Sequence, residues 1–137
     1  MICSEINSEG KYSTWDPVHI KELKENKISD DLGHQLIFEN EGIVLWSIVL
    51  KPGERLPFAK HNKYFSWVCR QGGMAISRNA NGCIEMLKFE AGDAGIYDHS
   101  EKTGYIRDLQ NIGENTLELK LIEFKKDKHN GQFIETH

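Results

Sequence analysis

The sequence predicts an all-β domain, a sandwich or barrel, with one short helix near its N-terminus. Three observations carry this prediction. From Leu32 onward, apolar residues recur with a period of two, the pattern of strands that bury one face. Turn signals break this pattern roughly every eight to twelve residues, the spacing of antiparallel sandwiches and barrels. The turns themselves are well marked, at Pro52-Gly53, Gly72-Gly73, Asn81-Gly82 and Gly92-Asp93.

Taken in order, residues 1–13 read as a polar arm that is ordered only if it docks. Asp16-Pro17 is a helix start, a capping carboxylate followed by proline at the first helical position. The helix should run to about Asn26, with Val18, Ile20 and Leu23 as its few apolar residues. A helix this short needs tertiary packing to hold it. Residues 33–38 are the first strand of the periodic region. Residues 43–50 (IVLWSIVL) are apolar on both faces and predict a central strand covered on both sides. Further strands are expected at 58–61, 64–70, 74–78, 83–89, 94–98, 105–109 and 116–124, with a short one at 132–134. Gly72-Gly73 reads as a hairpin turn, and no helix follows it that would make a phosphate loop. Pattern alone does not separate an immunoglobulin-like sandwich, a lipocalin barrel and a jelly roll.

At 137 residues the chain is one domain with room for a proper core. It divides into an N-terminal arm and helix at 1–32, a barrel at 33–124 and a polar tail at 125–137. The net charge of −4 and the lack of a basic face argue against nucleic acid as a partner. No apolar run reaches the length of a signal peptide or a membrane span, so a soluble, cytoplasmic protein with no membrane partner is expected. The three cysteines, Cys3, Cys69 and Cys83, lack paired spacing and suit free thiols in a reducing compartment. Cys69 lies mid-strand with no helix N-terminus to activate it, so it reads as core.

The stretch from Leu50 to Gly73 holds a Pro-Gly turn, an isolated histidine and an aromatic strand. It resembles the first motif of the cupin jelly roll, which runs Gly, five residues, His-x-His, three or four residues, Glu, six residues, Gly. Gly53 and Gly72 fit its ends. The first histidine position is Ala59, the second is His61, and the glutamate position is Phe65. The second cupin motif ends Gly-x-x-His-x-x-x-Asn. Gly104 and Asn111 fit it, with Arg107 at the histidine position. Gly92-Asp93 is similar to the family's Pro-Gly-Asp turn. Residues 33–124 thus resemble a small single-domain bacterial cupin, which implies a double-stranded β-helix (a jelly-roll barrel) behind the short N-terminal helix. Dimers are common in that family, so the resemblance also implies a homodimer.

In metal-binding members the two motifs supply three histidines and a glutamate. Here Ala59 has no donor atom, Phe65 is an apolar ring and Arg107 is a fixed cation that cannot ligate. One ligand of four remains. The expectation is therefore no metal and no cofactor, with a divalent metal at His61 as the alternative. Asp98-His99 with Glu101 reads as a solvated loop at one mouth of the barrel, and His99 with His61 offers a displaced metal site there.

If Ala59 and His61 point inward, alternation puts Phe65, Trp67 and Cys69 on one face of the next strand. Ile76 with Arg78, and Tyr105 with Arg107, are same-face pairs on theirs, and Tyr97 is a neighbour. The predicted small-molecule pocket is thus lined by Ala59, Phe65, Trp67, Ile76, Arg78 and Tyr97, with His61, Arg107 and Tyr105 as catalytic candidates. Trp46 and Trp67 also suit the core or a dimer interface. Arginine holds carboxylate or phosphate, and a histidine of ordinary pKa is a general acid or base near neutral pH. Three functions follow. One is a metal-free cupin that binds a small anionic organic ligand, with isomerase- or lyase-like acid–base chemistry at His61. Another is a dioxygenase-like metal enzyme with non-standard ligands. The last is a non-catalytic binding or structural barrel whose lumen is packed by Phe65 and Trp67.

Overall fold

In the computed structural model, which describes residues 1–7, 12–25, 28–97 and 105–125, ten strands form two antiparallel five-stranded sheets around a shared apolar core. The first sheet has the order β1 (Ile2–Asn7), β7 (Ile84–Phe89), β6 (Gly73–Arg78), β9 (Tyr105–Asn111) and β4 (Arg55–His61). The second has the order β2 (Gln35–Glu39), β3 (Ile43–Leu50), β10 (Leu117–Phe124), β5 (Tyr64–Gln71) and β8 (Ala94–Tyr97). The helix α1 spans Pro17–Glu25, and no helix among the described residues is long and apolar enough to cross a membrane.

The predicted arm docks: β1 pairs antiparallel with β7, Cys3 opposite Leu87, so the sheet begins before residue 33. Its side chains from Ile2 to Ile6 are exposed, which hid it among the polar residues around it. The helix starts as read, with the Asp16 carboxylate accepting the Val18 N–H at 3.0 Å. β3 has the predicted bounds and pairs with β2 on one side and β10 on the other. Its inward residues Val44, Trp46, Ile48 and Leu50 are all buried, each such side chain contributing roughly 1.5–3 kcal/mol. Cover on the outer face is incomplete, and Val49 is 41 % exposed. The 132–134 strand lies outside the described residues.

Gly72 does not turn a hairpin. β5 and β6 belong to different sheets, and Gly72 is the corner where the chain crosses between them. A Cβ there would meet the Phe89 carbonyl at 2.3 Å, so only glycine fits. Gly82 does turn a hairpin, between β6 and β7, at φ +96°.

α1 packs on the outer face of the first sheet through a buried charge network. Glu22 receives both Nη groups of Arg55, at 2.6 and 3.1 Å, and the Phe58 N–H at 3.1 Å. Arg55 Nε reaches Asp108 at 2.6 Å, and Arg78 Nη1 reaches the same carboxylate oxygen at 2.8 Å. Two cations and two carboxylates therefore balance where Asp108 is only 2 % exposed. Trp15 completes the cover, stacked on Phe58 at 6.0 Å.

Candidate functional site

Between the sheets lies a cavity of about 170 Å³. β4 brings three residues to it in an unexpected register. Leu56, Ala59 and His61 all line the cavity, although 56 and 59 are an odd number apart. The β4–β9 pairing slips between them, at Pro57, which has no N–H to give to a ladder. The slip sends Phe58 outward beneath Trp15 and keeps Ala59 and His61 inward.

Six of the nine predicted site residues meet here: Ala59, His61, Phe65, Trp67, Tyr97 and Arg107. Phe65 and Trp67 line the cavity and do not fill it. Ile76 and Arg78 are the exceptions, because the lumen side of β6 carries Ala75 and Ser77. Arg78 is instead held on the far face by Asp108 and, at 2.9 Å, by Gln110. The physical reason is a parity slip of one residue, which in a strand exchanges the two faces. The backbone of Tyr105 pairs with His61, but its side chain lies outside the described residues, as do Gly104 and the candidate cluster of Asp98, His99 and Glu101.

The aromatic wall is ordered. Phe65 and Tyr97 are cross-strand partners with stacked rings at 5.1 Å. The His61 imidazole meets each of them edge-on at 5.7 Å, and the Tyr97 hydroxyl donates to the His61 carbonyl at 3.1 Å. Trp67 stands edge-on to Phe89 at 5.6 Å. Its indole lies over Gly95, where a Cβ would come within 2.7 Å of the ring nitrogen.

Arg107 stands opposite Ala59 across the β4–β9 ladder, and the small alanine leaves the guanidinium room. Its Nε donates to Ser77 Oγ at 2.8 Å, and that hydroxyl donates to the Asp108 carbonyl at 2.7 Å. Ser77 is fully buried. The guanidinium is thus fixed by a hydroxyl that is itself fixed. Ser77 was not legible in the sequence; a small polar residue on the face shared with Ala75 is the one signal it gives.

Burial first, and then the charge of Arg107, lower the pKa of His61 to about 3. The imidazole is neutral at pH 7, where a histidine of ordinary pKa is still about one-quarter protonated. It serves as a hydrogen-bonding group in the cavity and starts any proton transfer as a weak base. The Cys69 thiol is buried in the core, and burial followed by the charge of Asp93 raises its pKa, so it is no nucleophile.

The metal implied by the cupin resemblance does not fit this donor set. The positions for two histidines and the carboxylate hold Ala59, Arg107 and the Phe65 ring, and a cation would sit beside a fixed guanidinium. Among the described residues no group of three or more His, Cys, Asp or Glu could hold a metal ion.

Comparisons with known proteins bear on the fold. No family model matches the sequence, and no curated protein matches it. Solved structures do. A cupin domain of Bordetella pertussis Tohama I superposes with a TM-score of 0.60 at 15% identity, covering 73% of this chain and 98% of its own. An RmlC-like cupin family protein of Methanocaldococcus jannaschii gives 0.54 at 18% identity, over 71% of this chain and 83% of its own. A double-stranded β-helix protein of Klebsiella pneumoniae gives 0.52 at 20% identity, over 66% and 73%. With two antiparallel five-stranded sheets around a lumen and these structural neighbours, the chain has the cupin fold, a double-stranded β-helix.

Proposed function

We propose that this protein is a small-molecule-binding cupin whose lumen takes an anionic organic ligand at Arg107, without the three-histidine, one-glutamate metal site of the fold. The observation that carries the reading is the Arg107 guanidinium, lining a largely apolar cavity and anchored by the buried Ser77. A cation in a low-dielectric pocket favours a negatively charged occupant far more than the same cation does in water. Arginine adds planar, bidentate geometry for a carboxylate. The neutral His61 beside it can donate or accept a hydrogen bond without adding charge. Acid–base chemistry at His61 is open to such a site once an anion has offset the charge of Arg107, because that charge is one of the two causes of its low pKa.

A thermal-shift screen of small organic acids tests the reading. Acids should raise the melting temperature of the wild type and leave Arg107→Met unmoved. A screen in which no acid stabilises the wild type overturns it. Elemental analysis of protein purified without added metal serves as the control, and stoichiometric iron, manganese, nickel, copper or zinc would replace this reading with a metal-dependent one.

A further inference from the structure

We infer that the outer face of the second sheet is an interface, and that the partner it takes is a second copy of this chain. This stands apart from the ligand reading above. Side chains directly opposite each other on antiparallel strands share a face. Val44, Trp46, Ile48 and Leu50 of β3 point into the core, so Leu45 between them points out. From Leu45 the ladders carry one outward row across all five strands: Phe38 on β2, Leu45 on β3, Ile122 on β10, Ser66 on β5 and Ile96 on β8. Four of these five side chains are large and apolar. Ile96 is 81 % exposed and Phe38 49 %. The neighbouring row, toward the start of β3, adds Ile43 opposite Phe124. A groove with Leu45, Val68, Ile96 and Ile122 in its walls runs along this face.

Charge selects the occupant. In the apolar row and the rows on either side of it, Lys120 is the one charged side chain among the described residues. Its charge is already matched, because Nζ pairs with the Glu118 carboxylate at 3.1 Å and donates to Ser47 Oγ at 2.9 Å. Such a face has nothing to recognise in a strongly acidic or strongly basic partner. Its complement is another neutral, apolar face, and a two-fold dimer supplies one by using the same patch on both copies. A two-fold axis along the apolar row sets that row against itself. It also lays the Lys120 row over the row of Ile43 and Phe124, so the two lysines do not meet.

Area allows it. The face has five strands of up to eight residues. At about 4.8 Å between strands and about 3.3 Å per residue, it spans roughly 600 Å² before the relief of the side chains is counted. A specific interface takes about 800 Å² from each partner, and a chance crystal contact less than about half of that. The position matters for the lumen as well. Trp67 and Ile96 border both the outer groove and the lumen cavity, so a copy seated over β8 covers the cavity from outside at that strand.

Sedimentation velocity on the full chain tests the inference. The wild type should sediment as a dimer, at twice the 15.7 kDa of the chain, and dissociate on dilution. Ile96→Lys and Phe38→Lys change side chains that are already exposed in the single chain, so both proteins should keep the wild-type circular dichroism spectrum. Each should raise the dimer Kd by at least about tenfold, as the loss of an apolar anchor at an interface does. Val18→Lys, on the exposed side of α1 beyond the other sheet, should leave the Kd within about twofold. A wild type that stays monomeric at millimolar concentration overturns the inference, whether residues 126–137 or a different partner then covers the face. A dimer whose Kd neither Ile96→Lys nor Phe38→Lys moves, or whose Kd Val18→Lys moves as far, joins through another surface and overturns it too.

Discussion

The backbone N–H of Gly53 donates to the carbonyl of Asn111 at 2.9 Å, so the turn that opens the first motif is tied to the strand end that closes the second. The return bond runs from the Asn111 N–H to the Glu54 carbonyl at 3.0 Å. Gly53 sits at φ +85°, where a side chain is strained. The two residues most responsible for the family resemblance thus act on the same joint, and they act on the fold and not on the chemistry.

Asn111→Ala should be among the most damaging substitutions outside the apolar core. The side chain is fully buried, donates to the Leu50 and Asn115 carbonyls at 2.8 Å, and accepts from the Gly113 N–H at 2.8 Å. Stranding three backbone groups should cost about 2–4 kcal/mol in urea denaturation. A loss below about 0.5 kcal/mol would mean that water replaces all three bonds.

Ser77→Ala should weaken ligand binding more than it weakens the fold. The hydroxyl accepts from Arg107 Nε, so removing it loosens the hold on the guanidinium. A decrease in affinity for small organic acids of about five- to tenfold is expected, with a stability cost of about 1–2 kcal/mol. Unchanged affinity beside that stability loss would show that Ser77 has only a structural part.

His61 predicts a specific pH dependence. Its folded pKa, about 3, lies below its unfolded value. The unfolded chain therefore binds a proton that the folded chain does not, and stability falls as pH drops from about 6.5 toward 3. At pH 4.5 the wild type should have lost about 2–3 kcal/mol relative to pH 7 that His61→Leu does not lose. Parallel curves for the two proteins from pH 7 to 4.5 would sink this assignment.

Glu22→Gln should loosen the helix and spare the lumen. Burial pushes the Glu22 carboxyl upward, but hydrogen bonds from Arg55 and the Phe58 N–H outweigh it and hold the pKa below the ordinary value. The carboxylate's contribution is therefore present above that ordinary value and is lost as pH falls through the lowered one. The amide leaves Arg55 short of a counter-charge, at an expected cost of about 1–3 kcal/mol. Hydrogen exchange should speed up across residues 17–25 while affinity for small organic acids holds within about twofold. Exchange confined to its wild-type rate would show that α1 is held by Trp15 and Phe58 alone.

Much of this architecture was legible because strands announce themselves by period and turns by composition. β3 was readable to the residue, since IVLWSIVL has no alternative as a loop. β1 was missed because its ladder is made by backbone groups, and its side chains report exposure only. The cavity wall was legible at Phe65, Trp67 and Tyr97, whose parity follows from His61. It failed at β6, where Ile76-Ser77-Arg78 gives no sign of which face is inward. Small residues face the lumen there, because the large ones opposite, from β5 and β10, already occupy it. The Ser77–Arg107 bond joins two strands distant in sequence, and no local pattern records it.

The anchoring of Arg107 also acts as an evolutionary ratchet. Returning this lumen to a metal would take at least Ala59→His, Phe65→Glu and Arg107→His. Phe65→Glu made first would set a carboxylate where a ring now stacks on Tyr97 in a site only 6 % exposed. Ala59→His made first would crowd the guanidinium directly across the ladder. Arg107→His made first would remove the guanidinium bond to Ser77 and leave two imidazoles with no carboxylate beside them. Each step is costly until the others are in place, so no single substitution starts this lumen back toward the metal-binding donor set.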